Sequence, residues 1–325
     1  MEELFPNIFK VEVPLPGNAL GALNSYVVIA DKHNLIIDTG FDHPVCEGAL
    51  MAAIAEIGLD LEKTDLLITH LHPDHFGLAP ALNEKGVRVL MGKKDRESLH
   101  GFYDFSKTDF DALIQMAGLP AAMTKTINPK EMRDYQPYTK MMGIPITSLG
   151  EGDCLEVGDY RFDVIDVPGH TIGHIALVEQ DRRFMFGGDL ILKHVSPNIA
   201  RDGSYDALGG YIHSLDKVDG LHIGRVLPAH GDCIDNPHER IYQLKQHHEK
   251  RMMEVEDVLR DGSKAKSIIE VAKHLHWNTK STFAKMSTVH QLFALQETWA
   301  HLDHLVALNR VNCSEEQGVL LFSCR

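Results

Sequence analysis

The chain has 325 residues and a net charge of −14, from 32 Lys and Arg against 46 Asp and Glu. That length is enough for two domains and a large core. Its 44% hydrophobic and 24% charged content is that of a soluble globular protein, without the roughly 20-residue apolar run of a membrane span, and the acidic balance disfavours non-specific nucleic-acid binding.

Residues 8–40 read as short strands, with turns at Pro14-Leu15-Pro16-Gly17 and Asp31-Lys32-His33-Asn34. Pro44 to Ile57 has helical spacing and stops at Gly58. Leu66 to Thr69 is an apolar strand, Pro80 to Lys85 a short helix and Val87 to Met91 another strand. Residues 93–150 break the alternation. They hold helical stretches, turn signals, the aromatics Phe102, Tyr103, Phe105, Phe110, Tyr135 and Tyr138, and the methionines Met116, Met123, Met132, Met141 and Met142. Two readings are open there: helices completing the core or a dimer interface, and a cap shaping a pocket. Strands recur at Arg161–Val167, Ile175–Glu179, Arg183–Phe186 and Arg225–Leu227.

From about Asn236 the pattern turns helical, over Glu239–Arg260, Ser267–Leu275 and Ser287–Leu305. The stretch from Ala307–Asn312 to Gly318–Phe322 reads as two short strands around a turn. The expected domains are therefore 1–235 and 236–325. Residues 236–325 hold 12 Lys and Arg against 11 Asp and Glu, so the excess negative charge lies in 1–235. Alternating strands and helices in the first part imply an α/β class, with sheets covered by helices. Met1 to Pro6 has no basic segment leading an apolar one, and Cys46, Cys154, Cys233, Cys313 and Cys324 are widely spaced and odd in number. Reduced thiols and a cytoplasmic location are expected.

The chemistry is concentrated at Thr69-His70-Leu71-His72-Pro73-Asp74-His75-Phe76-Gly77. Four metal-capable side chains follow one strand within six positions, and imidazole with carboxylate suits zinc, iron or manganese. Three later segments repeat the arrangement of a polar residue after an apolar run, flanked by Gly or Pro. They are Pro168-Gly169-His170, Gly187-Gly188-Asp189 and Pro228-Ala229-His230-Gly231. Taken singly, His170 and His230 read as turn residues and Asp189 as a helix cap. The chain has 20 histidines, and most fit no pattern. His174 reads as a local structural residue. His194, five residues after Asp189, is a candidate substrate contact.

In order, His70-x-His72-x-Asp74-His75, His170, Asp189 and His230 resemble the metallo-β-lactamase superfamily. They resemble in particular its hydrolytic dinuclear branch, which includes glyoxalase II and the acyl-homoserine lactonases. Asp38 in Leu35-Ile36-Ile37-Asp38-Thr39-Gly40 matches a further motif of that family. The resemblance covers residues 20–235. It implies an αβ/βα sandwich holding two divalent ions at one edge, most simply Zn2+, with iron or manganese as alternatives. It assigns His70, His72 and His170 to one ion, Asp74, His75 and His230 to the other, and Asp189 to both. Asp38 would orient a ligand. The helical tail with its hairpin resembles the winged-helix domain of one branch of the superfamily, where packing or homo-oligomerisation is the expected role.

Paired cations lower the pKa of bound water towards roughly 7 and polarise a carbonyl or phosphoryl oxygen. A metal-bridging hydroxide then serves as nucleophile, with Asp74 and Asp189 as candidate proton carriers. The chain has neither a Gly-x-Ser-x-Gly elbow nor a His-Glu-x-x-His helix. The implied function is hydrolysis of a small-molecule ester, thioester or lactone. The alternatives are an RNA or phosphodiester hydrolase, an iron-dependent oxidoreductase of the same fold, and a DNA-binding module with a vestigial site. The diiron oxidoreductases typically carry Glu at the position of His72, and a complete ligand set argues against a vestigial site.

Overall fold

In the computed structural model, residues 1–104, 107–119, 136–201, 203, 205–260, 264–277 and 282–325 are described. The chain divides into two compact units. The first comprises Met1–Tyr103, Gln136–Pro197 and His213–Ile241. The second comprises Asp104–Tyr135, Asn198–Ile212 and Tyr242–Arg325. The second unit thus draws on two segments from within the first 235 residues as well as on the tail.

Among the described residues, the first unit holds two sheets. One runs in the order of the chain: β1 (Glu2–Phe5), β2 (Ile8–Pro14), β3 (Ala22–Val28), β4 (Asn34–Ile37), β5 (Thr64–Ile68), β6 (Arg88–Gly92) and β7 (Ile146–Leu149). Its first four strands pair antiparallel, and β4 to β7 pair parallel. The other comprises β8 (Cys154–Val157), β9 (Tyr160–Asp166), β10 (Ile175–Glu179), β11 (Phe184–Gly188), β12 (Arg225–Pro228) and β13 (Ile234–Asp235). Its spatial order is β13-β12-β11-β10-β9-β8, with β11 and β12 parallel.

Successive strand side chains point to opposite faces, so one apolar run can feed two cores. In β4 and β5, Leu35, Ile37 and Leu67 join Phe162, Val164, Leu177, Phe184 and Phe186 of the second sheet. Their neighbours Ile36, Leu66 and Ile68 join Cys46, Leu50 and Ile54 of the helix Pro44–Ile57. Burying each such side chain is worth about 1.5–3 kcal/mol. A slip of one residue would exchange the two sets, so the register is strongly specified. Gly58, in the left-handed conformation at φ 71°, closes that helix where the sequence expects it to stop.

The pairing pattern places the functional segments together. Strands β4, β5 and β6 run parallel, and β9, β11 and β12 share one direction across antiparallel β10. Asp38 follows β4, His70 follows β5, His170 follows β9, Asp189 follows β11 and His230 follows β12. Carboxyl ends of strands are where open α/β sheets bind ligands.

The second unit contains the helices Ile268–His274 and Thr288–Ala307 and a sheet of β14 (Lys266–Ser267), β16 (Val319–Cys324) and β15 (Val311–Glu316), in that spatial order. A capping box of Ser267 and Glu270 starts the first of these helices. Leu295, Trp299, Leu302 and Leu305 line one face of the second helix and are buried with Phe322, Ile268 and Val255. Ile114, Ala117 and Leu119 lie in the same core, and Ile269 N donates to Ala117 O at 3.1 Å. The hairpin strands begin later than the sequence suggests, because Ala307 still belongs to the helix.

Within 93–150, Tyr138 and Met141 are buried in the first unit's core and Met116 packs on that of the second. The side chains of Phe102, Tyr103, Phe105, Phe110, Met123, Met132 and Tyr135 lie outside the described residues. Among the described residues, no helix is long and apolar enough to cross a membrane.

Candidate metal centre

The strand ends bring the sequence's candidate ligands into three overlapping trios: His70, His72 and His170; His70, His75 and Asp189; and Asp74, His75 and His230. Within each trio the ligand-capable atoms lie within 4.8 Å of one another. Pro73 opens the single helical turn Pro73–Phe76, with His72 just before it, so Asp74 and His75 leave the backbone on a different heading from His70.

The spacing is that of ligands placed to hold divalent cations. His70 Nε2 and His72 Nδ1 are 3.0 Å apart. His230 Nε2 lies 3.5 Å from Asp74 Oδ2 and 3.6 Å from Asp189 Oδ1. His75 Nε2 lies 3.8 Å from Asp189 Oδ2, and His170 Nε2 lies 3.5 Å from the same oxygen. Nitrogens each about 2.0–2.1 Å from a tetrahedral metal stand roughly 3.3–3.5 Å from one another. Most of these separations are too long for hydrogen bonds. His75 Nε2, His230 Nε2 and Asp189 Oδ1 are buried with no hydrogen-bond partner among the described residues. Such atoms are costly to bury unless something meets them. The donor set therefore fits divalent cations.

The opposite ring nitrogens are tied down. His75 Nδ1 donates to Asp38 Oδ2 at 2.8 Å, and His230 Nδ1 donates to Ala22 O at 2.8 Å. Each bond holds a proton on Nδ1 and turns Nε2 towards the centre. Asp38 also accepts from Thr69 N at 2.9 Å and Thr69 Oγ1 at 2.8 Å. It is buried and held at φ 58°, a left-handed conformation that Asp tolerates better than most residues.

Electrostatics separates the two ends. Burial, reinforced by His170, pushes His72 down to about 3. Burial with the neighbouring His75 and His72 pulls His70 well below the usual histidine range. At the other end burial also works against charge on His75, but Asp38, Asp74 and Asp189 overcome it and raise its pKa to about 10. Asp189 raises His230 in the same way against its burial. Burial opposes ionisation of Asp74 and Asp189 too, yet the surrounding imidazoles hold both below the usual carboxylate range. The carboxylate end thus attracts positive charge, and a cation binding there would displace protons.

His174 stands outside the trios but against them. It is fully buried, its ring is 4.9 Å from that of His70, and its Nε2 accepts from Asp189 N at 3.3 Å. Gly188, at φ 51°, makes room for it: a Cβ there would sit 2.3 Å from His174 Nε2. His194 is exposed and pairs with Asp232 Oδ2 at 3.1 Å, outside the three trios. Asn24 and Tyr26 carry no signal in the sequence. Asn24 Nδ2 donates to Pro228 O and Gly231 O at 3.0 and 2.7 Å, and Tyr26 Oη donates to Pro228 O at 2.7 Å. They hold the turn that carries His230. Only the pairing of β3 with its neighbours brings them to it.

A family model of the metallo-beta-lactamase superfamily matches residues 19–230. The chain belongs to that superfamily. It is 26% identical over 327 residues to "Probable metallo-hydrolase YqjP" of Bacillus subtilis, covering 97% of each chain. It is also 26% identical over 236 residues to "Atrochrysone carboxyl ACP thioesterase" of Emericella nidulans, covering 73% of this chain and 59% of that one. The crystal structure of a metallo-beta-lactamase family protein from Thermus thermophilus superposes with a TM-score of 0.81 at 25% identity, over 99% of this chain and 100% of that one. The α/β architecture is the metallo-beta-lactamase fold, and the chain is an enzyme of that fold, which implies divalent metal ions.

Proposed function

We propose that this enzyme is a dinuclear metal hydrolase of a small-molecule ester, thioester or lactone, with zinc as its metal. His70, His72 and His170 would hold one ion. Asp74, His75 and His230 would hold the other, and Asp189, grouped with His70 and His75, would serve both. The observation that carries this reading is the convergence of three ligand trios, the first and second linked by His70 and the second and third by His75. Two bound divalent cations supply an acidified water and polarise the carbonyl to be attacked.

The chain's own residues then do three things. His75 and His230, turned by Asp38 and Ala22 O, present their Nε2 atoms. Asp74 Oδ2, 3.5 Å from His230 Nε2, and Asp189 are the carboxylates positioned to carry a proton to the leaving group. The acidic first unit disfavours a polyphosphate substrate. Among the three ester-like classes a thioester is favoured, because the Emericella nidulans relative is named an acyl-carrier-protein thioesterase. The tail, with the helix Pro237–Arg260, β14, the helices Ile268–His274 and Thr288–Ala307 and the β15–β16 hairpin, is read as winged-helix-like and as a packing or homo-oligomerising element.

Elemental analysis of the purified chain, with ester, thioester, lactone and RNA substrates in one panel, tests the proposal. Two zinc ions and turnover of one of the first three are expected. One ion or none after full reconstitution, or RNA cleavage alone, would overturn it.

A further inference from the structure

Asp95 lies in the first turn of the helix Lys93–Asp104, directly after β6, and is 1% exposed. Among the hydrogen bonds of its carboxylate with described residues are three of 2.7 Å. Oδ2 takes Leu71 N and Thr171 Oγ1, and Oδ1 takes Gly173 N. Leu71 stands between His70 and His72, and Thr171 follows His170. One buried carboxylate therefore grips both segments that bear the three-histidine trio.

The backbone around it is shaped for that grip. A Cβ on Gly173 would lie 2.0 Å from Asp95 N, and one on Gly92 would lie 2.2 Å from Gly173 O. Glycine at both positions lets the end of β6 press directly on the His170 loop. An ionised carboxylate this deep is tolerable only when its lone pairs are met, and the donors that meet it come from two segments about 100 residues apart in sequence.

We infer that Asp95 is a positioning residue that sets the distance between His70/His72 and His170, and so the geometry offered to the ion at that end. The inference rests on the metal-site reading proposed above. An amide cannot do the same work. Asn has one acceptor oxygen, so either Leu71 N or Gly173 N would face an NH2 group. Glu keeps the charge but moves it outward by one methylene.

The test uses the full chain as wild type, Asp95→Asn and Thr171→Val, the last removing one of the three bonds. Chelator competition reads Zn2+ affinity, the visible spectrum of the Co2+-loaded protein reads ligand geometry, and melting of the metal-free protein reads fold stability. Asp95→Asn is expected to weaken one of the two ions by about 10–100-fold, the usual effect of losing a group that orients ligands, and to alter the Co2+ spectrum. Thr171→Val should weaken the same ion by less. Unchanged affinity and spectrum in Asp95→Asn, with only a lower melting temperature, would overturn the inference. If Asp95→Asn does not fold, the same outcome in Thr171→Val overturns it. A wild-type chain that binds neither Zn2+ nor Co2+ would overturn the metal-site reading itself, and that result is distinct from the other two.

Discussion

Asp38→Asn isolates the electrostatic part of the metal centre from its shape. The substitution keeps the side-chain volume, and Asn accepts the φ of 58° at this position at least as readily as Asp. Backbone strain therefore does not confuse the result. The amide oxygen can still accept from Thr69 N, now 2.9 Å from Oδ1. The NH2 group then replaces Oδ2, which accepts from both Thr69 Oγ1 and His75 Nδ1 at 2.8 Å. The hydroxyl can rotate and accept. A metal-binding His75 keeps its proton on Nδ1, and in the variant that proton faces the NH2 group instead of a carboxylate oxygen. A hydrogen bond to a charged group is worth about 1.5–3 kcal/mol. At about 1.4 kcal/mol per decade, that becomes roughly 10–100-fold in affinity. The loss should fall on the ion at Asp74, His75 and His230, leaving the three-histidine end nearly intact. Chelator competition on the wild type and Asp38→Asn measures the two affinities. Equal affinities for both ions in the two proteins would refute the reasoning.

Asp74→Asn and Asp189→Asn, reconstituted with metal, should each lower turnover by at least about 10²-fold, the scale of losing a proton carrier or charge stabiliser, as steady-state kinetics on the best panel substrate will show. Gly188→Ala places a methyl group 2.3 Å from His174 Nε2 and 2.9 Å from Thr69 Oγ1; it should displace Asp189 and lower both metal content and melting temperature, whereas Gly48→Ala, with open space at its Cβ inside the helix Pro44–Ile57, should leave metal content unchanged and raise the melting temperature slightly. In the second unit, burial pulls the pKa of fully buried His301 down to about 3. An unfolded histidine titrates near 6.5, so below that pH the unfolded chain takes up a proton that the folded one refuses. Stability should fall as pH drops from about 6.5 to about 3, by ~2 kcal/mol at pH 5 from this residue. Denaturant unfolding at pH 7 and pH 5 measures the loss, and His301→Gln should reduce it.

Much of the centre was legible because its signals are local. A strand announces itself by an apolar run, and each ligand segment follows one within a few residues. Leu66-Leu67-Ile68 before His70, and Leu227-Pro228 before His230, are such pairs. The helix Pro44–Ile57 with Gly58 was equally plain, since a cap is a property of adjacent residues. The candidate ligand set follows from order and residue type, which resemblance to a family can supply without coordinates.

Tertiary structure decided what depends on contacts between distant segments. Asp95 looks like an ordinary acid in a first helical turn. Its importance comes from Leu71, Thr171 and Gly173, which only the pairing of sheets brings to it. His174 reads as a local residue in sequence and lies against Asp189 and His70 in space. The second unit takes in Ile114, Ala117 and Leu119 because the tail's helices leave an apolar face that they help to cover. Periodicity tells each helix that it has such a face. It cannot say which remote segment will meet it, because that choice is made by the packing of the whole chain.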